Sequence, residues 1–240
     1  VSVRYLKNAT PDQIKEIFQR INRTDYALNK MERFHAIWGE SELVCLAKQM
    51  IEKDLEIDLK LVEYVISDED REWLLKFFVS GEEGTGGLFS DAEINRMLSL
   101  QFILVLLTTL INNKYFHRNS EIEASVKAYN ESVPDVELLI KNIVDSTKLI
   151  SEMRFSKKSI WMRQSTLLNL IFEISKYGSE NIDKKKLKVH LATVEKNIEE
   201  DMTDKEMDKF RNFSKEAVNE KRAREFRSKY IDAILQDCLI

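Results

Sequence analysis

The chain has 240 residues, 43% of them hydrophobic and 32% charged, with a formal net charge of −4. Length and apolar content suffice for one large core or two smaller ones, in a soluble, helix-rich protein. Six glycines and two prolines leave few turns and argue against a β fold, while two isolated cysteines, Cys45 and Cys238, exclude a disulfide framework and a zinc site.

In chain order, Val1-Ser2-Val3-Arg4-Tyr5-Leu6 alternates as a strand, and no later segment reads as its partner. Thr10-Pro11-Asp12-Gln13 joins a capping Thr, a Pro at the first helical position and a Gln three residues after the Thr. Ile14, Ile17, Phe18 and Ile21 follow at helical spacing, and Asn22-Arg23-Thr24-Asp25 ends that helix in a polar turn. A second helix starts at Leu28-Asn29, turns Met31, Phe34, Ile37 and Trp38 inward and stops at Gly39.

Further on, Glu40–Leu55 predicts a helix with Leu43, Leu46, Ala47 and Met50 inside. Ser67 caps another that buries Trp73, Leu74, Phe77 and Phe78. Residues 80–88, SGEEGTGGL, hold four of the six glycines and predict a hinge. They are not a phosphate loop, since the Gly-Lys-Ser/Thr ending is missing and Glu82 and Glu83 repel phosphate. Ser90-Asp91-Ala92-Glu93 is a capping box that opens the most apolar helix, in which Met97–Ile111 carries no charge. A membrane span needs about 20 predominantly apolar residues, so this run predicts a central helix wrapped by others.

Pro134 opens a helix with Val136, Leu139, Ile140, Ile143, Ile150 and Met153 on its apolar side. Ile160–Tyr177 predicts the next helix and stops at Gly178, Asp183 caps a Lys-rich one, and Thr203-Asp204-Lys205-Glu206 opens a last helix toward Ile240. The expected fold is all-α: a multi-helix bundle around Met97–Ile111, with one orphan N-terminal strand.

Ile17-Phe18, Ile21-Asn22, Thr24, Leu28-Asn29, Glu32, Ala36 and Gly39 resemble the IFxxINxTG pattern and its continuation that close the ParB-like N-terminal domain of GmrSD-type restriction proteins. These belong to anti-phage defence. The family's Gly after the Thr is Asp25 in this chain, a residue type that tolerates a left-handed turn. The resemblance implies that 1–39 is the closing strand, helix and motif of a ParB-like domain whose DGQQR part lies upstream. It also implies that 40–240 is the helical domain. In the longer protein it implies an NTPase or nuclease activity using a nucleoside triphosphate and a divalent metal, and a nuclease partner or a homo-oligomer. Arg20, Asn22, Arg23 and Thr24 become nucleotide-adjacent by the same resemblance.

Within the chain itself no catalytic constellation is visible. His35, His117 and His190 are far apart in sequence and fall in no HExxH pattern, and the clustered His and Asn of an HNH nuclease are missing. The chain alone is therefore expected to be inactive and to hold no cofactor or metal of its own. The charge is segregated: 15 acidic against 5 basic residues from Glu40 to Glu93, and 8 basic against 3 acidic from Lys209 to Lys229. Lys221, Arg222, Arg224, Arg227 and Lys229 form a basic run for DNA phosphates, or else a solvated helix face interleaved with Glu220 and Glu225. No signal-peptide pattern appears, which makes a reducing cytoplasm the expected compartment. The expected function is the helical scaffold and recognition portion of a modification-dependent restriction protein. The alternative is a stand-alone helical protein–protein interaction module.

Overall fold

The computed structural model describes Thr10, Gln13 and residues 30–55, 57–80 and 87–240. The expected strand at Val1–Leu6, the stripe from Ile14 to Ile21, and residues 81–86 of the expected hinge lie outside the described residues. Among those described there are eleven α-helices and no β-strand. One isolated antiparallel bridge joins Ile182 to Leu239.

Local capping signals fix several of the helix starts. Thr10 and Gln13 cap each other, the Thr10 N–H donating to Gln13 Oε1 at 3.0 Å and the Gln13 N–H to Thr10 Oγ at 3.3 Å. Helix α1, Lys30–Trp38, ends at Gly39, where a Cβ would lie 2.6 Å from the His35 carbonyl oxygen. Helix α2, Glu42–Ile51, buries all four residues predicted for it. Ser67 caps α3, Asp68–Leu75, which runs on as a π-helix through Lys76–Ser80. Ser90 and Glu93 form the predicted capping box on α4, Asp91–Asn95.

The predicted continuation into the apolar helix is broken. Met97 takes a left-handed conformation, φ 57°, and α5 begins afresh as Leu98–Asn112. All eight residues from Phe102 to Thr109 are buried, as expected of a helix wrapped on every side. Helix α6, Ile122–Ala128, is followed by α7, Val136–Glu152. Pro134 stands outside that helix, because Asp135 at the N-cap has φ 47°. Ile160–Met162 is a short 3-10 turn ahead of α8, Gln164–Tyr177.

Asp183 caps α9, Lys184–Glu199, with its Oδ1 accepting from the Lys185 and Lys186 N–H groups. The single last helix predicted from Thr203 is two: α10, Lys205–Phe213, and α11, Lys221–Asp237. Asp204, not Thr203, is the N-cap of α10, accepting from the Met207 N–H at 2.8 Å. Between the two helices Ala217 is left-handed, φ 51°, and the chain folds back so that α10 packs on α11.

Helix α5 packs on α2, α4, α6 and α8. Helix α8 in turn packs on α5, α7 and α11, and every residue from Thr166 to Ile174 is buried. The bundle therefore has two encircled helices side by side. Aromatic rings extend this core between elements: Trp161 lies 5.5 Å from Phe210, which stacks on Tyr230 at 4.5 Å. No helix among the described residues is long and apolar enough to cross a membrane.

Candidate functional site

Two polar side chains interrupt the apolar run of α8. Asn169 and Glu173 stand one turn apart, share a face, and are both 0% exposed. A buried amide and a buried carboxylate need hydrogen-bonding partners, since leaving either bare costs several kcal/mol, roughly 2–7 for an amide. Helix α11, the loop that follows α5 and Lys176 of α8 itself supply them. Asn169 Oδ1 accepts from Arg227 Nε at 2.9 Å, and Asn169 Nδ2 donates to the Arg224 carbonyl at 2.9 Å. Glu173 Oε1 accepts from the Tyr115 hydroxyl at 3.2 Å and from Ser228 Oγ, while Oε2 takes Lys176 Nζ at 2.7 Å. Burial pushes the Tyr115 hydroxyl pKa well above its usual value, and the Glu173 charge adds to the shift.

This network corrects part of the predicted basic run. Arg224 and Arg227 are 3% and 0% exposed and are held by internal acceptors, so they do not join Lys221, Arg222 and Lys229 on the solvated face of α11. Arg224 Nη1 donates to the Phe116 and Arg118 carbonyls at 2.9 and 3.0 Å, and its guanidinium lies 5.1 Å from the Phe116 ring centre. Arg227 donates from Nη1 to the Phe213 carbonyl at 2.6 Å and from Nη2 to the Val218 carbonyl at 2.8 Å. Burial lowers both guanidinium pKa values to about 10, with Arg224 adding to the effect on Arg227. Both remain charged at neutral pH.

Lys221, Arg222 and Lys229 are exposed. Two of them have acidic neighbours: Lys221 Nζ stands 3.7 Å from Glu225, and Arg222 Nε donates to Glu220 at 2.7 Å. The sequence did carry a signal for this division. Ala223, Arg227, Ile231 and Leu235 recur every four residues, which puts Arg227 on the buried stripe of α11.

Beside the two buried arginines lies a cleft of about 550 Å³. Its walls are α5, the first turn of α8, the link between α10 and α11, and α11 itself. Glu93 reaches it from α4. Burial pushes its carboxyl up, but hydrogen bonds from Ser90 and Gln164 outweigh that and hold it below the ordinary value.

Arg20, Asn22, Arg23 and Thr24 lie outside the described residues. The end of the same motif is described. The Gly39 carbonyl accepts from Lys48 Nζ at 3.3 Å, tying α1 to α2. His35 Nε2 is buried without a hydrogen-bond partner, and burial followed by the Lys48 charge lowers its pKa. His35 is on α1, His190 on α9 and His117 in the loop between α5 and α6. No three His, Cys, Asp or Glu side chains among the described residues group as metal ligands. Cys45 and Cys238 are buried free thiols, both pushed up in pKa by burial. No family model, no curated protein and no solved structure matches the chain.

Proposed function

We propose that the bundle is the helical scaffold and recognition portion of a GmrSD-like, modification-dependent restriction protein, acting beside a ParB-like NTPase or nuclease domain. The observation that carries this reading is the junction at Gly39. The last residue of the ParB-like closing motif is bound by Lys48 of α2, so the motif and the bundle meet through a direct contact. A glycine is needed there, because any Cβ would meet the His35 carbonyl oxygen at 2.6 Å. In this role Lys221, Arg222 and Lys229 are the α11 side chains that reach DNA, while Arg224 and Arg227 hold the helix in place. A nucleoside triphosphate and a divalent metal belong to the neighbouring domain, with a nuclease or a second copy as partner.

The test is binding of the chain to duplex DNA with and without modified bases, across a salt series. Three phosphate contacts give a log–log salt slope of about −2.7, at ~0.9 per contact. Charge reversal of Lys221, Arg222 and Lys229 to Glu should abolish the binding. No binding at low salt, or binding indifferent to the triple change, removes the DNA role.

A second reading, the stand-alone interaction module, has one observation in its favour. Leu61 is 84% exposed, and Leu59 and Val65 in the same segment are exposed too. Pull-down of a folded partner that is lost on Leu61→Asp, without any DNA binding, would favour it.

A further inference from the structure

The cleft beside Arg224 and Arg227 has a charge imbalance that the fold leaves open. Three guanidiniums line it, those of Arg163, Arg224 and Arg227, against the single carboxylate of Glu93. That carboxylate is occupied: Oε1 accepts from Gln164 Nε2 at 2.8 Å, and Oε2 from the Ser90 N–H at 2.9 Å. The acceptors that hold Arg224 and Arg227 are neutral carbonyls, from the backbone or from an Asn side chain. Buried charges in proteins are normally paired with an opposite charge, because carbonyl dipoles only partly replace lost hydration. Here neither of two adjacent buried cations is paired with a carboxylate among the described residues, and both lie directly behind the wall of the same cleft.

Two further features point the same way. Arg163, at the N-cap of α8, provides no side-chain cap, and Gln164 and Ser165 of that first turn line the cleft. The positive end of a 14-residue helix, itself buried along most of its length, is thus directed at the same space. Arg224 Nη2 makes only a long bond, 3.5 Å to Asn219 Oδ1, which leaves it ready to turn toward a better acceptor. The volume, about 550 Å³, falls in the range of small-molecule sites and is too confined for a duplex.

We propose that this cleft binds a small phosphate-bearing ligand. Arg224 and Arg227, buried beneath its floor, make the cleft positive, Arg163 closes on the phosphate oxygens from the rim, and the α8 N-terminus donates backbone N–H groups. A phosphate monoester or diphosphate, carrying about two negative charges at neutral pH, balances the excess of two cations where a single carboxylate would not. Gln101, Asn119 and Asn219 remain on the walls to bond the rest of the ligand. The site depends on the cleft alone, so it stands or falls separately from DNA binding by α11.

The experiment is thermal unfolding and calorimetric titration of the full chain with sodium pyrophosphate, against sodium chloride at matched ionic strength. Pyrophosphate should raise Tm saturably and give a one-site isotherm. Arg163→Ala should weaken the apparent affinity about tenfold, as expected when one charge-assisted contact is lost. Gln101→Trp, which fills the cleft from α5, should abolish the response while the far-ultraviolet spectrum keeps its helical form. No stabilisation beyond that of chloride would overturn the proposal. So would a pyrophosphate response that survives both substitutions, or stabilisation by duplex DNA without any by pyrophosphate.

Discussion

Asn169 on α8 is bonded to α11 in both directions, taking Arg227 Nε at its Oδ1 and giving its Nδ2 to the Arg224 carbonyl, each at 2.9 Å. One side chain thereby sets the register of the two helices. A slip of α11 by one residue would leave a guanidinium, an amide and a carbonyl unbonded in the core.

Asn169→Leu keeps the volume and removes both bonds, leaving Arg227 Nε and the Arg224 carbonyl bare. At about 1–3 kcal/mol for each buried group left unsatisfied, the loss should be on the order of 3 kcal/mol. A urea titration should show a lower midpoint with an unchanged slope. Arg222→Ala, on the exposed face of the same helix, should stay within about 0.5 kcal/mol. Equal effects from the two substitutions would contradict the division of the basic run.

Acid should weaken the α4 junction through Glu93. Its carboxyl is held below the ordinary value of 4.5, because hydrogen bonds from Ser90 and Gln164 outweigh the opposing effect of burial. A lowered folded pKa means that the unfolded chain binds more protons over the interval, so stability rises with pH there and is lost as the pH drops. The contribution is present above pH 4.5 and is lost as pH drops through the folded value. The stability difference between the native chain and Glu93→Gln should therefore be largest near neutrality and shrink below that pH. A difference constant into strong acid would show that Glu93 is not held low.

Alkali acts in the opposite sense at Tyr230. Burial first, then Asp204 and Glu206, pushes its hydroxyl up from 10 to about 12. The folded state keeps its proton while the unfolded state releases it, so the contribution is complete below pH 10 and is lost as pH rises toward 12. Absorbance titration of the native chain near 295 nm should place one tyrosine at about 12. Tyr230→Phe should remove that step and leave the earlier ones.

Ala217→Gly should stabilise the protein, although glycine usually does the reverse. Ala217 is exposed and sits at φ 51° in the turn that separates α10 from α11. A left-handed conformation costs a residue with a Cβ about 1–2 kcal/mol, and the extra freedom glycine gives the unfolded chain returns about 0.5–1 kcal/mol of that. A net gain of about 0.5 kcal/mol should appear as a raised urea midpoint. A lowered midpoint would mean that the turn holds no strain there.

Helix identity and core membership were legible in the sequence wherever the signal was local. Ser67, Ser90 and Asp183 cap as expected because a cap is made by a side chain and an N–H two or three residues away. The burial of α5 followed from an uncharged run that no solvated face could accommodate. The breaks at Met97 and Ala217 were hidden, since neither residue favours a left-handed turn and only the packing of the flanking helices imposes one. The candidate site was only partly legible: the stripe of Ala223, Arg227, Ile231 and Leu235 marked Arg227, but nothing local marked Arg224 or the partners of either. By charge alone Arg224 and Arg227 look in the sequence like two members of a solvated basic run, and their burial depends on Asn169 and on carbonyls of Phe116 and Phe213 brought in from distant segments. A hydrophobic stripe announces its own face through periodicity, but a buried charge is decided by whichever acceptors the tertiary structure brings within about 3 Å of it.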